Sequence, residues 1–111
     1  MPLSAKGRIE VYVPDLVLPI YHNLLLALDN EFTFNFGGCS IIHGIDGRYL
    51  SKNGENIPDR INLIYTDTPY SFEENLSILE TYADRLRAFA FNALNEEAIL
   101  VALWPVYHSV E

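Results

Sequence analysis

The sequence has a single cysteine, few basic residues and no long uninterrupted apolar run. Cys39 cannot form an intrachain disulfide, which favours a reducing compartment over secretion. Asp15, two prolines and His22 interrupt the most apolar stretch, residues 11–28, which is therefore too broken to span a membrane. The first residues also lack the basic and apolar segments of a signal peptide. We therefore expect a cytoplasmic protein.

The shortage of basic residues limits the partners. Seven Lys and Arg residues stand against fifteen Asp and Glu residues, which gives a net charge of −8. A protein that binds a phosphate backbone needs a basic face, and the bases here are scattered along the chain. Arg85 and Arg87 form a basic pair, but Asp84 and Glu80 are interleaved with them. We therefore expect neither nucleic acid nor an anionic membrane as a partner.

Recognisable metal and cofactor motifs are also missing. Five of the six glycines lie between residues 37 and 55, but their spacing matches neither the GxGxxG pattern nor a P-loop. His43 and Asp46 alone would make a poor zinc site. Residues 46–55 lack the carboxylates that a calcium loop requires. The sequence therefore predicts no metal and no cofactor.

The hydrophobic pattern predicts one α+β domain over residues 1–111. Half of the 111 residues are hydrophobic, which is enough to build a core. Residues 8–13 alternate between apolar and polar, which predicts a strand with Ile9, Val11 and Val13 on its buried face. Pro19 then suits the first turn of an amphipathic helix.

Residues 32–36 allow two interpretations. Three phenylalanines alternate with polar residues, which is typical of an extra strand closed by a hairpin at Gly37-Gly38. Alternatively, the helix continues to about Thr33 and one of the two glycines ends it in a left-handed conformation. We favour the helix, because the segment that follows already has another strand partner.

A turn signal divides the middle of the chain. Asn53-Gly54 is the preferred pair of a two-residue type I′ turn, and it would join strands at residues 39–52 and 55–67. Glycines inside the first of these strands mark the expected bulges: Gly44 and Gly47.

A second helix and a last strand complete the pattern. Ser71 and Glu74 form a capping box, and an apolar stripe continues to about Asn95. Residues 98–108 form an almost unbroken apolar strand. The order β-α-β-β-α-β predicts a ferredoxin-like fold, in which a four-stranded antiparallel sheet carries both helices on one face. Right-handed crossovers place the first and third strands at the centre.

The last strand predicts self-association. The edge strand of a sheet with one covered face normally alternates and carries charges. Here both faces of the strand are apolar from residue 99 to residue 104. A second copy of the chain is the most economical cover for the outer face. We therefore expect a homodimer or larger homo-oligomer, with a small molecule or another protein as further candidate partners.

His43 is the first candidate site residue. A catalytic pair with Cys39 is excluded, because four residues along a strand span roughly 13 Å and a pair must lie within about 3 Å. The apolar neighbours of Cys39 are typical of an unreactive thiol. His43 is then either a half-buried histidine bonded to backbone, or an acid–base group clustered with Asp46 and Tyr49.

Aromatic side chains form the second candidate site. Tyr12 lies opposite the aliphatic side of the first strand, and two aromatic residues lie on the last strand, its expected neighbour. The candidates for the helix-free face of the sheet are Tyr12, Tyr65, Trp104 and Tyr107. They form either the core of a dimer or a small-ligand cleft between protomers, with Arg8 or Glu10 setting its polarity.

The amino terminus raises one enzyme hypothesis. Small βαβ proteins of the tautomerase group use an amino-terminal proline, freed by loss of methionine, as a catalytic base. Pro2 resembles that proline, although residues 4–7 separate it from the strand that begins at Arg8. This offset moves Pro2 away from the strand end.

Residues 36–67 resemble the hairpin region of a family of uncharacterised small ferredoxin-like α+β proteins. The shared features are a glycine, a hydrophobic strand, a Gly-x-aromatic triplet, a glycine turn and a second hydrophobic strand. In this sequence they lie at Gly38, residues 40–46, residues 47–49, Gly54 and residues 61–67. The resemblance implies a ferredoxin-like fold, and it implies no activity and no catalytic residue.

Together these patterns favour a self-associating binding or interaction module over an enzyme. A small-ligand cleft would lie on the helix-free face or between subunits. The alternative is a small acid–base enzyme of the tautomerase or dimeric α/β-barrel type, with His43, Tyr12 or Pro2 as the working group. A concave pocket that holds His43 or Tyr12 beside a second polar group would favour the enzyme.

Overall fold

A computed structural model of the chain describes residues 4–94 and 99–108. Six elements follow one another in the predicted order: β1 (Ser4–Pro14), α1 (Pro19–Phe36), β2 (Ser40–Leu50), β3 (Asn56–Ser71), α2 (Leu76–Leu94) and β4 (Leu100–His108). The strands form one sheet in the order β2-β3-β1-β4, and every neighbouring pair is antiparallel. The predicted ferredoxin-like fold, with β1 and β3 at the centre, is confirmed.

The core lies between one face of the sheet and the two helices. Ile9, Val11 and Val13 of β1 are at most 1 % exposed, as their alternation predicts. They belong to one cluster with apolar side chains from both helices: Leu24, Leu28 and Phe32 of α1, and Leu79, Leu86 and Ala90 of α2. Within the described residues, no helix is both long and apolar enough to cross a membrane.

Residues 32–36 are helical. Phe32 is completely buried, and the ring of Phe36 lies 6.3 Å from it, so two of the three phenylalanines lie on the helix side that faces the core. Gly37 ends α1 with a φ of 86°, and its backbone N–H donates to the carbonyl oxygen of Thr33. The helix interpretation is confirmed, and α1 extends three residues beyond the predicted end at Thr33.

The turn between β2 and β3 differs from the predicted type I′ turn. The N–H of Gly54 donates to the carbonyl oxygen of Ser51, so the central residues of the turn are Lys52 and Asn53. Gly54 follows with a φ of 80°, and the N–H of Ser51 donates to Glu55. This is a three-residue loop in which glycine takes the left-handed position. The prediction located the glycine correctly and was wrong about the turn type.

A bulge interrupts β2. The pairing with β3 shifts between Ile42 and Ile45, and Gly44 has a φ of 66° there. The N–H of Gly44 donates to the Asn62 side chain at 2.9 Å. The guanidinium of Arg60 occupies the space that a Cβ at Gly44 would need.

Arg60 also ties the bulge to the loop that follows β1. Its Nε lies 3.1 Å from a carboxylate oxygen of Asp15, and its carbonyl oxygen accepts the N–H of Asp15. Arg60 therefore lies against the bulge in β2 and bonds to the start of the β1–α1 loop.

The hairpin beyond this bulge extends past the core, and we call residues 45–61 the hairpin arm. Every residue of the arm is exposed or only half-buried. The protein measures 50 × 28 × 24 Å and has a radius of gyration of 15.3 Å. A compact chain of this length would have a radius of gyration of about 13 Å. The arm therefore protrudes from the body.

The ends of β3 and α2 also differ from the prediction. β3 runs to Ser71 rather than Asp67. One of the two hydrogen bonds of the predicted capping box is present, because the N–H of Glu74 donates to the Ser71 hydroxyl at 3.4 Å, although regular helix begins at Leu76. The predicted end of α2, Asn95, lies outside the described residues.

We predict that Gly44→Ala lowers the free energy of unfolding by about 1–2 kcal/mol, because alanine resists a positive φ and its methyl group would displace Arg60. Gly47→Ala is the matched control. Gly47, where we expected a second bulge, lies in regular pairing opposite Asp59, and its substitution should change stability by less than about 0.5 kcal/mol. Urea unfolding measures both, and equal effects would contradict this account of the bulge.

Candidate functional site

Charged and aromatic side chains meet on the helix-free face of the sheet. Alternation along β1 places Arg8, Glu10 and Tyr12 on this face, opposite the buried aliphatic side chains. The ladders then place Asp67 of β3 and Trp104 of β4 on either side of Arg8. A central strand therefore carries a cation between an acid and an indole ring.

Arg8 is held on several sides. Its Nε lies 2.5 Å from Asp67 Oδ1 and its Nη2 lies 2.9 Å from Oδ2, which makes a two-point ion pair. The guanidinium carbon lies 4.5 Å from the centre of the Tyr65 ring and 5.3 Å from that of Trp104. The hydrogen bond to Asp67 raises the pKa of Arg8. Arg8 therefore stays protonated, and the carboxylate of Asp67 neutralises its charge.

Glu10 and Tyr12 form the second polar pair. The Tyr12 hydroxyl donates to Glu10 Oε1 at 2.8 Å, and Glu10 is only 8 % exposed. This hydrogen bond, followed by burial, raises the pKa of Tyr12. Tyr12 is therefore a proton donor at neutral pH and not a base.

Three of the four predicted aromatic residues share this face. Tyr65 and Trp104 flank Arg8, and Tyr12 lies four residues further along β1. Tyr107 does not join them. The ladder between β1 and β4 is regular, and Tyr107 lies three positions beyond Trp104, so the two side chains point to opposite faces. The prediction was wrong for Tyr107.

The predicted cluster of His43, Asp46 and Tyr49 is not assembled. Asp46 pairs with Arg60 and Tyr49 with Ile57 in an uninterrupted ladder, which places these two side chains on opposite faces of the hairpin arm. His43 lies on the far side of the bulge and is exposed, rather than half-buried as expected. The third catalytic candidate, Pro2, lies outside the described residues.

Cys39 has the surroundings of an unreactive thiol. It packs against the core just before β2, and its Sγ lies 3.3 Å from Asp29 Oδ1 of α1. Burial, together with the hydrogen bond to this carboxylate, raises the pKa of the thiol. A raised pKa reduces the thiolate fraction at neutral pH, so Cys39 is a poor nucleophile.

His108 extends the polar group around Arg8. Its Nε2 is buried, lies 3.8 Å from Asp67 Oδ2 and has no hydrogen-bond partner among the described residues. One imidazole and one carboxylate, the latter already paired with Arg8, do not make a metal site. Across residues 4–94 and 99–108, no cluster of three or more such side chains can hold a metal ion.

Sequence reasoning missed a cleft between the two helices, which we call the helix cleft. Its volume is about 270 Å³. It is lined by Ala27, Leu28 and Glu31 of α1 and by Tyr82, Arg85, Leu86 and Phe89 of α2. Neither His43 nor Tyr12 contributes to it. The helix cleft is therefore not the pocket around His43 or Tyr12 that would favour the acid–base enzyme.

Glu31 and Tyr82 join the walls of the helix cleft. The Tyr82 hydroxyl donates to Glu31 Oε1 at 3.3 Å, and the Asn35 side chain donates to the same oxygen at 2.8 Å. The Tyr82 ring also meets the ring of Phe36 edge-on at 5.5 Å. Burial, and then the Glu31 charge, raises the pKa of Tyr82 far above its ordinary value. The two walls are therefore linked through a neutral phenol.

Only part of the helix cleft could have been found in the sequence. Ala27 and Glu31 are four residues apart, and Tyr82, Leu86 and Phe89 follow one another at four and three residues, so each set shares a helix face. The sequence does not show that these two faces oppose each other, because that depends on how the helices pack on the sheet.

Comparison with known proteins supports the assignment of the fold and nothing further. No protein-family model matches the chain, and no characterised protein matches its sequence. The solved structure of CutA1 from Oryza sativa is similar in fold, with a TM-score of 0.62. That similarity covers 97 % of this chain and 85 % of CutA1, at 17 % sequence identity. The chain shares a ferredoxin-like fold with this protein. The resemblance of residues 36–67 to a sequence family stays a prediction.

We predict that Tyr82 makes the protein less stable above pH 10. The folded state keeps the Tyr82 proton while an unfolded tyrosine ionises near pH 10, so stability present below that pH is lost as the pH rises. One such group contributes a slope of at most about 1.4 kcal/mol per pH unit. In urea unfolding between pH 9 and 11, Tyr82→Phe should show a shallower decline than wild type. An identical decline would contradict the assignment. Tyr107→Phe, at an exposed site, should behave like wild type.

Proposed function

We propose that the protein is a self-associating binding module, and that a second copy of the chain covers the helix-free face of the sheet. The observation that carries this proposal is the outer face of β4. Leu100 is 58 % exposed and Trp104 is 43 % exposed, although β4 already covers the core with its other side. An edge strand that faced water would be expected to carry charges.

The polar groups of this face are compatible with being covered. Arg8 is paired with Asp67, and Glu10 accepts the hydrogen bond of Tyr12, all within one chain. Covering a charge is costly when it leaves that charge without a partner. Because these pairs are complete before association, a second copy can cover them while burying the apolar side chains of β4.

The hairpin arm supports the same proposal. A two-stranded hairpin is marginally stable alone in water. This arm extends beyond the body and exposes Tyr49 and Leu50 near its end. Contact with a neighbouring copy would bury these side chains and support the arm.

Composition limits the other classes of partner. A net charge of −8 opposes binding to nucleic acid or to an anionic membrane. The free Cys39 suits the reducing cytoplasm, where we propose that the protein works. The similarity to CutA1 extends over almost the whole chain and supports the architecture on which the proposal is built.

We predict that Leu100→Glu weakens self-association at least tenfold, or by about 1.4 kcal/mol, because it places a charge in the proposed contact. Size-exclusion chromatography with light scattering should give a multiple of 12.6 kDa for wild type and a lower average mass for the variant. Val17→Glu, at a fully exposed position between β1 and α1, is the matched control and should leave the mass unchanged.

Trp104 provides a second measurement, because it is the only tryptophan in the chain. Its emission should shift to shorter wavelengths as wild type associates, and it should not shift in Leu100→Glu over the same concentrations. A wild-type mass of 12.6 kDa at all micromolar concentrations would refute the proposal. Association that Leu100→Glu leaves intact would move the contact away from this face.

A further inference from the structure

We propose that the helix cleft binds a small zwitterion with an apolar body, of which an apolar α-amino acid is the simplest example. This site goes beyond the proposed function. The helix cleft lies in the helical layer, on the opposite side of the sheet from the face that a second copy would cover. Binding there and self-association can therefore be tested separately.

The size and lining of the helix cleft set the class of ligand. Ligand pockets generally measure about 300–1,000 Å³ and are mostly apolar with a few polar groups. At about 270 Å³, the helix cleft suits a single small molecule rather than a nucleotide. Leu28 and Leu86 are core residues that line it, and Phe89 is an exposed aromatic residue beside them. These side chains would contact an apolar body.

Arg85 supplies a free positive charge. Arg85 lines the helix cleft, is exposed, and makes no ion pair with any residue in the ranges 4–94 and 99–108. By contrast, Arg87 on the same helix lies 3.6 Å from Asp84. Arg85 can therefore bind a ligand carboxylate in the two-point geometry that a guanidinium favours.

Glu31 supplies the opposite charge. Its Oε1 already accepts hydrogen bonds from Tyr82 and Asn35, which fix the orientation of the carboxylate. Its Oε2 accepts no hydrogen bond from the described part of the chain. An ionised carboxylate can accept about four hydrogen bonds in total. A ligand ammonium group can therefore bind Glu31 without displacing the contact to Tyr82.

The two charges together select a zwitterion. A ligand with a carboxylate alone would bind Arg85 but bring a negative charge close to Glu31. A ligand with an ammonium group alone would bind Glu31 but bring a positive charge close to Arg85. Such like-charge contacts are unfavourable, most of all beside Glu31, which is half-buried. A molecule that carries both groups on an apolar body matches every part of the lining.

The test uses three probes that share one phenyl ring: L-phenylalanine, 3-phenylpropanoate and 2-phenylethylamine. Each is titrated into the full-length protein and followed by amide chemical shifts. We expect L-phenylalanine to bind at least tenfold more tightly than either singly charged probe. The shifts should be concentrated in residues 27–31 and 82–89. The protein mass, measured in parallel, should not depend on the probe.

Substitutions distinguish binding that requires the two charges from nonspecific binding of hydrophobic molecules to an apolar cleft. Arg85→Gln should weaken L-phenylalanine at least tenfold and make 2-phenylethylamine the preferred probe. Glu31→Gln should instead favour 3-phenylpropanoate. Arg87→Gln, which alters the neighbouring arginine outside the cleft, is the matched control and should bind like wild type. Ala27→Leu should fill the cleft and weaken all three probes without changing a charge.

Any one of three results would overturn the proposal. One is the absence of saturable L-phenylalanine binding below about 10 mM, which corresponds to a binding free energy weaker than about −3 kcal/mol. Another is equal binding of all three probes, which would mean that the charges play no part. A third is an Arg87→Gln variant that loses binding as Arg85→Gln does. Loss of self-association in Leu100→Glu would leave this proposal unaffected, and its failure would leave self-association unaffected.

Discussion

The whole architecture depends on how β1, a strand with neighbours on both sides, satisfies its two faces. One face is aliphatic and lies against the helices. The other carries Arg8 and Glu10, and because β1 has a strand on each side, these charged side chains lie among those of β3 and β4. Each charge finds a partner beside it, Asp67 for Arg8 and Tyr12 for Glu10. These lateral pairs let a charged strand occupy the centre of the sheet.

Two surfaces of different character follow from this arrangement. On the helix-free face, Arg8 and Glu10 are paired within the chain and the apolar side chains of β4 are not covered, so the surface is suited to another protein surface. In the helix cleft, it is the charged groups that lack ion-pair partners among the described residues. The apolar side chains are mostly covered, while Arg85 and one oxygen of Glu31 have no partner in the described ranges. That surface is suited to a small charged molecule.

Sequence patterns predicted the elements well and their mutual alignment poorly. Alternation in β1 and the three-to-four spacing in α1 reflect burial, which acts within one element, and they gave the correct strand order through known connection rules. The face of Tyr107 depends on pairing with β1, and the turn at Gly54 depends on a hydrogen bond to Ser51. The helix cleft depends on the distance between two helices. None of these is encoded by a local pattern.

Because the hairpin arm is long, a small rotation at the bulge around Gly44 would produce a larger displacement at its tip. The arm continues for six residues of β2 beyond the bulge, about 20 Å of extended chain. Over that length, a rotation of about 5° at the base moves the tip by about 2 Å. Arg60 pairs with Asp15 at this base, so a change in the pair would be magnified at Tyr49 and Leu50, at the far end of the arm.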